Sequence, residues 1–477
     1  MKVIIFGTGA YYQKRKEHFD VVEKVAFIDN NVEKQNTDFE GVPILSPEMA
    51  INLKYDYVCV MSSLYTVEMV KQLILLGYDS NKIIGYGAYT KLVKRIINEG
   101  SMQIYYKNLP GNVCGQKGKI LLVTHELSLS GAPVVLFYAA EILKKNGYEP
   151  VILSPKDGKL REVIISKGIT VVIEPLITGK NAYLYEWMSG FELVIICTFT
   201  FGEFVGELAD FPKPVLWWLH EGEEVYSAWW SKAKPERIGR NVSIYAGGGH
   251  ALTTYQKYFG NDDCKMLLYG IPNENINDKQ GYVRRHKGVV FAVVAVLQPR
   301  KGQDIFVEAI KRMSDGDKEN AEFWIVGPDP GIYQEFVEKL YKAIETEPKI
   351  KMVGEWPMER LMEEYINIDV LVCPSRDDPM PVVVPEAMMF YKPCIVSKGA
   401  GTVGYIEDRC NGLVCECNAE SLAEQMAWIM NHQDSLERIG IEGPRLYERV
   451  FSTEAFEKNL LKIIYEKVGE NYEQDRE

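Results

Sequence analysis

Residues 374–389 read PSRDDPMPVVVPEAMM and directly follow an apolar run, Val370–Cys373, that predicts a buried strand. A Pro-Ser turn ends the strand, and Pro385 stands where the first turn of a helix would begin. Asp378 and Glu386 therefore lie eight residues apart at the carboxyl edge of a predicted sheet. Carboxylates there can accept hydrogen bonds from a sugar diol, while loop amides and the positive helix end can face a phosphate. An acidic first helical turn is also common for electrostatic reasons alone, so this spacing leaves a structural role open.

Short apolar runs recur along the whole chain, each followed by a Gly or polar turn and then by a segment with helical spacing. This alternation predicts parallel sheets covered by helices, and thus an α/β protein. Two such domains in tandem set the carboxyl edges of their sheets face to face across a cleft, where ligands of these folds bind. We predict a small Rossmann-like domain at 1–90, a linker at 91–117, and two larger Rossmann-like domains at 118–280 and 281–468, the last helix packing back on the first of these two.

Composition excludes several classes of protein. A chain of 477 residues with 47% hydrophobic and 25% charged residues is neither disordered nor fibrous. The net charge of −12 disfavours broad attraction to nucleic acid or anionic lipid. Nine cysteines, several of them inside apolar runs, indicate reduced core thiols of a cytoplasmic protein. The opening apolar run is too short for a secretion signal and no run reaches the length of a membrane span, so we expect at most peripheral membrane contact.

Two further βα junctions carry residues suited to anion binding. In VVFAVVAVLQPRKGQDIFVEAI, residues 289–310, the apolar run Val289–Leu297 predicts a strand. Arg300 and Lys301 follow it and could neutralise a diphosphate leaving group. In ELSLSGAPVV, Ser130, Gly131 and Pro133 lie at a predicted helix start, and the lack of a side chain at Gly131 would let a ligand approach the backbone amides. An ordinary solvated loop and an ordinary tight turn remain the alternatives at these two places.

The segment with Asp378 and Glu386 resembles the E-x7-E region of retaining glycosyltransferases of family 4, which have the two-domain GT-B fold. The resemblance implies that Glu386 binds the ribose diol of a nucleotide and that Asp378, in place of the usual Glu, contacts hydroxyls of the donor sugar. Pro379 to Pro381 replace the small GFG-like loop of many members. The backbone amides expected to cradle the donor are those of Met380, Val382 and Val383.

Other motifs resemble the same family in the same order along residues 118–468. Lys301 is similar to the family lysine that binds phosphate, and Arg300 would stand in for the family arginine, whose usual position is Val296 here. Gly131 and Ala132 resemble the Gly-rich first loop. His220, at the end of the apolar strand in PVLWWLHEGEE, resembles the cleft histidine that contacts the donor sugar, and Glu221 is expected in a solvated loop.

The loop VGEWPMERLMEEY, residues 353–365, resembles the family loop whose backbone contacts the nucleotide base, which implies contacts from Trp356, Pro357 and Met358. A second match, Asp315-Gly316-Asp317, fits the DxD metal motif of the other major glycosyltransferase fold. Its polar surroundings between a helix and a strand instead predict a turn. The resemblance implies no metal and no cofactor.

The amino terminus carries part of a dinucleotide fingerprint. Gly7 and Gly9 follow a strand, and Asp29 closes the next one, but Tyr12 replaces the third Gly. The motifs FGTG, FIDNN and GVPILSPE together resemble the small Rossmann-like domain at the front of sugar acyltransferases, nucleotide-sugar dehydratases and some glycosyltransferases. This resemblance leaves open a second nucleotide site at Gly7, Gly9 and Asp29, or a scaffolding role.

The combined resemblance implies a retaining hexosyltransferase that moves a sugar from a nucleotide-diphosphate sugar, with UDP favoured, to a saccharide or lipid-linked acceptor in polysaccharide biosynthesis. No nucleic-acid partner is expected. We expect the protein in the cytoplasm, either free or bound peripherally to the inner face of the membrane. Two alternatives remain: a GT-B-like nucleotide-sugar 2-epimerase, and a non-catalytic nucleotide-sugar-binding protein of a polysaccharide assembly system.

Overall fold

A computed structural model describes residues 1–469 except 20–21, 63–64, 91, 93–101, 107–116, 130, 180–181 and 276–280. Most of the predicted linker and the predicted boundary at residue 280 lie outside the described residues. The chain divides into two compact units. The first comprises Met1–Gln103 with Glu174–Leu176, and the second comprises the rest.

The first unit contains a six-stranded sheet in the order β3-β4-β2-β1-β5-β6, parallel except for the β3-β4 pair. Its central strand is apolar and almost wholly buried, as expected for a parallel strand covered on both faces. The strands are β1 Lys2–Phe6, β2 Glu23–Ile28, β3 Asp38–Phe39, β4 Val42–Leu45, β5 Tyr57–Val60 and β6 Ile83–Gly85.

The second unit begins with an eight-stranded sheet in the order β14-β13-β12-β11-β8-β9-β10-β7. The strands β8, β11 and β12 are apolar and form its buried centre. The strands are β7 Gln103–Tyr105, β8 Lys119–Val123, β9 Glu149–Ser154, β10 Thr170–Ile173, β11 Leu193–Cys197, β12 Val215–Leu219, β13 Val242–Ala246 and β14 Lys265–Met266.

A six-stranded parallel sheet follows in the order β17-β16-β15-β18-β19-β20. All six residues of β15 are buried, because this strand lies in the middle of the sheet under helices on both faces. The strands β15 and β18 are neighbours, so the loops that follow them meet at one edge. The strands are β15 Val289–Val294, β16 Ala321–Val326, β17 Ile350–Gly354, β18 Val370–Cys373, β19 Cys394–Ser397 and β20 Leu413–Cys415.

Helices connect most of these strands. Those of the first unit include Ala10–Gln13, Pro47–Ala50 and Thr66–Leu75. Those around the eight-stranded sheet are Ala132–Lys145, Leu160–Ser166, Ala182–Ser189, Gly202–Glu207, Glu223–Ala233 and Gly249–Phe259. Those that follow are Gln303–Arg312, Asp315–Glu319, Gln334–Glu345, Met358–Glu364, Val383–Met389, Ala419–Asn431, Ser435–Leu446 and Thr453–Val468.

The last helix, Thr453–Val468, packs on the eight-stranded domain. The ring of Phe456 lies 5.6 Å from that of Trp218 on β12. Glu457 accepts hydrogen bonds from Lys145 Nζ at 2.7 Å and Asn146 Nδ2 at 2.8 Å. The chain therefore crosses back, and the two sheets of the second unit share one continuous hydrophobic core.

The prediction of a turn at residues 315–317 is wrong. These residues begin the short helix Asp315–Glu319, because Ser314 caps it by accepting a hydrogen bond from the Asp317 amide at 3.2 Å. The side chain of Asp315 is 97% exposed and pairs with Lys318. No group of three or more His, Cys, Asp or Glu side chains that could hold a metal ion occurs among the described residues.

The eight cysteines of the described residues are free thiols, and six of them are buried. Across the described helices, none has the length and apolar character needed to cross a bilayer.

Candidate functional site

The loop that follows β18 fixes Asp378 at the carboxyl edge of the six-stranded sheet. Its amide donates to the Gly399 carbonyl at 2.9 Å, and its carbonyl accepts from the Gly401 amide at 2.7 Å. These two bonds tie the loop to the segment after β19, so the backbone of Asp378 is held on both sides. The residue is only 5% exposed, and its carboxylate is thus presented to the site from a rigid support.

The neighbouring junction after β15 brings its cations to the same edge. Lys301 Nζ forms a close ion pair with the Asp378 carboxylate. Arg300 lies 4.0 Å from that carboxylate and donates to the Asp377 carbonyl at 3.0 Å. Gly302 follows with φ +73°, and a Cβ there would lie 2.1 Å from the Pro374 carbonyl, so only glycine permits this approach. Lys301, which is expected to bind phosphate, and Asp378, which is expected to bind the sugar, are therefore in direct contact.

Glu386 lies in the helix Val383–Met389 and is 7% exposed. Its Oε2 accepts a hydrogen bond from the Tyr365 hydroxyl at 2.9 Å. Burial raises the pKa of Glu386 to about 7, although the bond from Tyr365 acts in the opposite direction. The sequence pattern does not indicate a role for Tyr365. A tyrosine that ends a helix beside a buried strand gives no signal that its hydroxyl meets a carboxyl group 21 residues later.

His220 ends β12 and packs between two aromatic rings, with ring centroids 4.6 Å from Trp218 and 5.6 Å from Tyr269. Burial lowers the pKa of His220 to about 3, so the imidazole is neutral near pH 7. A Cβ on Gly247, at the end of β13, would lie 2.5 Å from its Nδ1. His220 is thus a neutral group in a shaped, partly apolar site.

The expectation of a solvated loop is wrong for Glu221. Its Oε2 accepts the His220 amide at 2.9 Å, and further backbone amides bond the same carboxyl group. Burial raises the pKa of Glu221 to about 7, against the effect of those bonds. The side chain folds back on the ends of β11 and β12, because their free amides need an acceptor. Glu223 and Glu224, in contrast, are exposed.

The remaining expected contacts on the donor side vary in exposure. Met380 is 6% exposed, and its carbonyl accepts from the Tyr269 hydroxyl at 3.1 Å. Val382 is 37% exposed just ahead of the helix that Val383 begins. Val382 and Val383 therefore lie at the start of this helix, which begins two residues before Pro385.

The segment expected to contact the base, residues 353–365, contains a helix from residue 358 to residue 364. Trp356 packs edge-on to Trp324 with centroids 6.2 Å apart, Pro357 precedes the helix Met358–Glu364, and Met358 is 58% exposed. Gly131 has φ +63°, and no atom lies within 4 Å of a Cβ placed there. Ala132 begins the next helix. The open space beside Gly131 leaves its backbone accessible.

In the first unit, two residues of the partial dinucleotide fingerprint, Gly7 and Asp29, contact nearby residues of the same unit. Gly7 has φ +111°, and a Cβ there would lie 3.0 Å from the Met61 carbonyl, so packing explains this glycine. Asp29 accepts hydrogen bonds from the Thr8 hydroxyl at 2.6 Å and from Lys34 Nζ at 3.0 Å. Burial acts to raise the pKa of Asp29, but these bonds leave it lowered. Gly9 faces open space, and a nucleotide role for this set stays a prediction.

Solved structures of similar fold support the architecture. The chain is similar to the Anabaena protein HepE in complex with UDP and glucose, with a TM-score of 0.59 and 16% identity over 73% of this chain and 100% of that one. It is also similar to a glycosyltransferase from Rickettsia africae, with a TM-score of 0.60 and 16% identity over 75% of this chain and 100% of that one.

Three family models match separate parts of the sequence. Residues 274–445 match the family described as glycosyl transferases group 1, and residues 116–238 match glycosyl-transferase family 4. Two segments of the chain thus match glycosyltransferase family models, and the chain shares the GT-B fold of the similar solved structures. Residues 1–84 match a family described as C2185-like, N-terminal. The residues around Lys301, Asp378 and Glu386 thus lie in the second GT-B domain, and His220 lies in the first.

A curated relative matches part of these GT-B domains. D-inositol 3-phosphate glycosyltransferase from Corynebacterium efficiens is 24% identical over 184 residues, which cover 37% of this chain and 43% of the relative. The chain thus spans less than half the length of the curated relatives it matches.

Proposed function

We propose that the protein is a retaining hexosyltransferase of family 4 that moves a sugar from a nucleotide-diphosphate sugar to a saccharide or lipid-linked acceptor. The observation that carries the proposal is the cluster at one sheet edge: Lys301 and Arg300 after β15, Asp378 after β18, and Glu386 in the helix that follows. Two cations beside the buried Asp378 carboxylate, with a second buried carboxyl group on the helix that follows, suit a ligand with both a diphosphate and sugar hydroxyls.

The proposed reaction uses these groups in distinct roles. Lys301 and Arg300 hold the diphosphate and neutralise the negative charge that grows on it as the bond to the anomeric carbon breaks. Glu386 accepts hydrogen bonds from the ribose diol, and Asp378 accepts from hydroxyls of the donor sugar. The acceptor hydroxyl enters on the face that the diphosphate leaves, and a phosphate oxygen takes its proton, so the configuration is retained.

His220 contributes as a neutral hydrogen-bonding group. With a pKa of about 3, its imidazole adds no positive charge at the anomeric carbon, where positive charge itself builds in the transition state. A neutral ring can accept a hydrogen bond from a sugar hydroxyl and still donate through its other nitrogen. We propose that His220 orients the donor sugar from the opposite domain.

For the donor, we propose a UDP-sugar. The Anabaena protein of similar fold was solved in complex with UDP and, separately, with UDP-glucose. We propose a role in polysaccharide biosynthesis in the cytoplasm, with no cofactor, no metal and at most peripheral contact with the inner membrane face.

The first experiment is calorimetric titration with UDP, GDP, ADP and NAD, with and without magnesium. Metal-independent binding of one nucleoside diphosphate, and its loss in Lys301→Ala, supports the donor site. Donor turnover then separates the alternatives: a new glycoside identifies a transferase, an isomerised donor a 2-epimerase, and binding without turnover a non-catalytic partner. Binding of NAD alone would contradict the proposal and move attention to Gly7, Gly9 and Asp29.

A further inference from the structure

The carboxylate of Asp377 connects the two GT-B domains directly. It belongs to the loop after β18, in the second domain, and sits next to Asp378. Its Oδ1 lies 2.8 Å from Nε2 of His250, in the helix Gly249–Phe259 of the first domain. Its Oδ2 accepts the backbone amide of Glu224 at 3.1 Å. One side chain therefore bonds two elements of the opposite domain.

The contact with Glu224 completes a helix. The helix Glu223–Ala233 begins directly after His220 and Glu221, and its own N-cap residue, Gly222, has no side chain to bond the free amides. Asp377 supplies that acceptor from the other domain, and its negative charge faces the positive end of the helix. Burial acts to raise the pKa of Asp377, but the bonds from His250 and Glu224 leave it lowered. The carboxylate is thus charged in this contact.

Glycines allow the backbones of the two domains to approach. A Cβ on Gly222 would lie 1.9 Å from Oδ1 of Asp377. A Cβ on Gly248, in the first domain, would lie 2.6 Å from the Pro379 carbonyl of the second domain. Contacts this close cannot hold a methyl group without a backbone shift. This close approach explains the glycine at position 248 in the run AGGGH at 246–250.

The loop is also held from its own domain. Arg300 donates to the Asp377 carbonyl at 3.0 Å, and Asp378 pairs with Lys301. The side chain of Asp377 thus faces the first domain while its backbone is tied to the proposed phosphate ligands.

We infer that Asp377 and His250 are positioning residues that latch the Asp378 loop to the strand end carrying His220 during sugar transfer. The latch is defined as the bonds from His250 Nε2 and the Glu224 amide to Asp377. This inference rests on the proposed function, since it assigns the latch to the arrangement that transfers sugar. Its chemical reason is that groups contributed by two separate domains act together only when their spacing is fixed.

The test compares His250→Ala and His250→Gln with His432→Ala as a matched control. His432 bonds the Trp428 carbonyl on an exposed helix end, away from the latch. We expect His250→Ala to lower kcat/KM ~10–100-fold, because it removes a hydrogen bond to a charged, half-buried acceptor. His250→Gln, whose amide can donate to Asp377, should recover part of the loss. His432→Ala should match the wild type.

Hydrogen exchange of the Glu224 amide provides a readout that needs no substrate. Asp377→Ala and His250→Ala should speed exchange in the first turn of the helix Glu223–Ala233, while His432→Ala should not. Faster exchange together with the kinetic loss and its recovery supports the inference. Unchanged exchange would overturn the latch itself, and faster exchange with unchanged kcat/KM would overturn its role in transfer.

The two proposals fail in different ways. If the wild type turns over no nucleotide-sugar, the proposed function fails, while amide exchange still decides whether the latch exists. If the wild type is active and His250→Gln behaves like His250→Ala despite equal thermal stability, the hydrogen bond is not what positions the loop.

Discussion

The ion pair between Lys301 and Asp378 leads to a prediction that joins stability and activity. The two side chains are 18% and 8% exposed, so water screens the pair poorly. Replacing Lys301 by Met leaves Asp378 charged, buried and without its close partner. Removing one partner of a buried pair costs about 3–5 kcal/mol, and Arg300 at 4.0 Å offsets part of that cost. We therefore expect a loss of about 2–3 kcal/mol in the free energy of unfolding.

A double-mutant cycle isolates the pair. Asp378→Asn alone should also destabilise, because it leaves the Lys301 ammonium poorly paired, but the double variant should lose less than the sum of the two. A coupling free energy of about 1–3 kcal/mol is expected for groups in direct contact. Scanning calorimetry of the three variants and the wild type measures it, with Lys398→Met, whose ion pair is exposed, as the control.

The same variants test the proposed chemistry. Lys301→Met should lower kcat about 10²–10³-fold, the usual cost of removing a group that stabilises charge on the leaving oxygen. The double variant should lose less stability than the sum of the two single losses but should stay inactive. A coupling below about 0.5 kcal/mol would refute the pairing, and full activity of Lys301→Met would refute the assignment of Lys301 to the diphosphate.

Three further predictions follow from the site. The pKa of Glu386 is raised to about 7 in the folded state, so between about pH 4.5 and 7 the folded protein holds a proton that the unfolded chain releases. The free energy of unfolding should therefore fall as the pH rises through this window. In Glu386→Gln, the melting temperature should depend less on pH over the same range. Since the pKa of His220 is about 3, its protonation should not lower kcat/KM between pH 5 and 8. A step near pH 6.5 in the profile of kcat/KM against pH, present in the wild type and absent in His220→Asn, would contradict this. Gly248→Ala should lower activity and melting temperature because its Cβ would meet the Pro379 carbonyl at 2.6 Å, whereas Gly249→Ala, whose nearest atom lies 4.0 Å away, should not; equal effects would argue against the close approach.

Much of the fold could be predicted because its signals are local. An apolar run of four to six residues followed by a turn and an amphipathic helix predicts a βα unit wherever it occurs, and the GT-B architecture is confirmed. The strand predicted at Val289–Leu297 nevertheless ends at Val294. Boundaries depend on where the neighbouring strand stops offering hydrogen-bond partners, which is not a property of the run itself.

The site was predictable in part. Parallel strands end at one edge, so Lys301 and Asp378 could be expected near each other, although their direct pairing could not. Glu221 was misjudged because a charged residue in a polar stretch predicts exposure, whereas free backbone amides at two strand ends draw its carboxyl group inward.

The segments that form sheets and helices, and the polar residues that follow buried strands, can be read from the sequence, since both depend on the order of side chains within a few residues. Contacts between residues far apart in the chain become visible only in the folded protein. Asp377 meets His250 across 127 residues, and Tyr365 meets Glu386 across 21. Burial, pKa and ion pairing depend on which surfaces come together when the chain folds. The local pattern of residues does not specify the distance between two side chains that are far apart in the sequence.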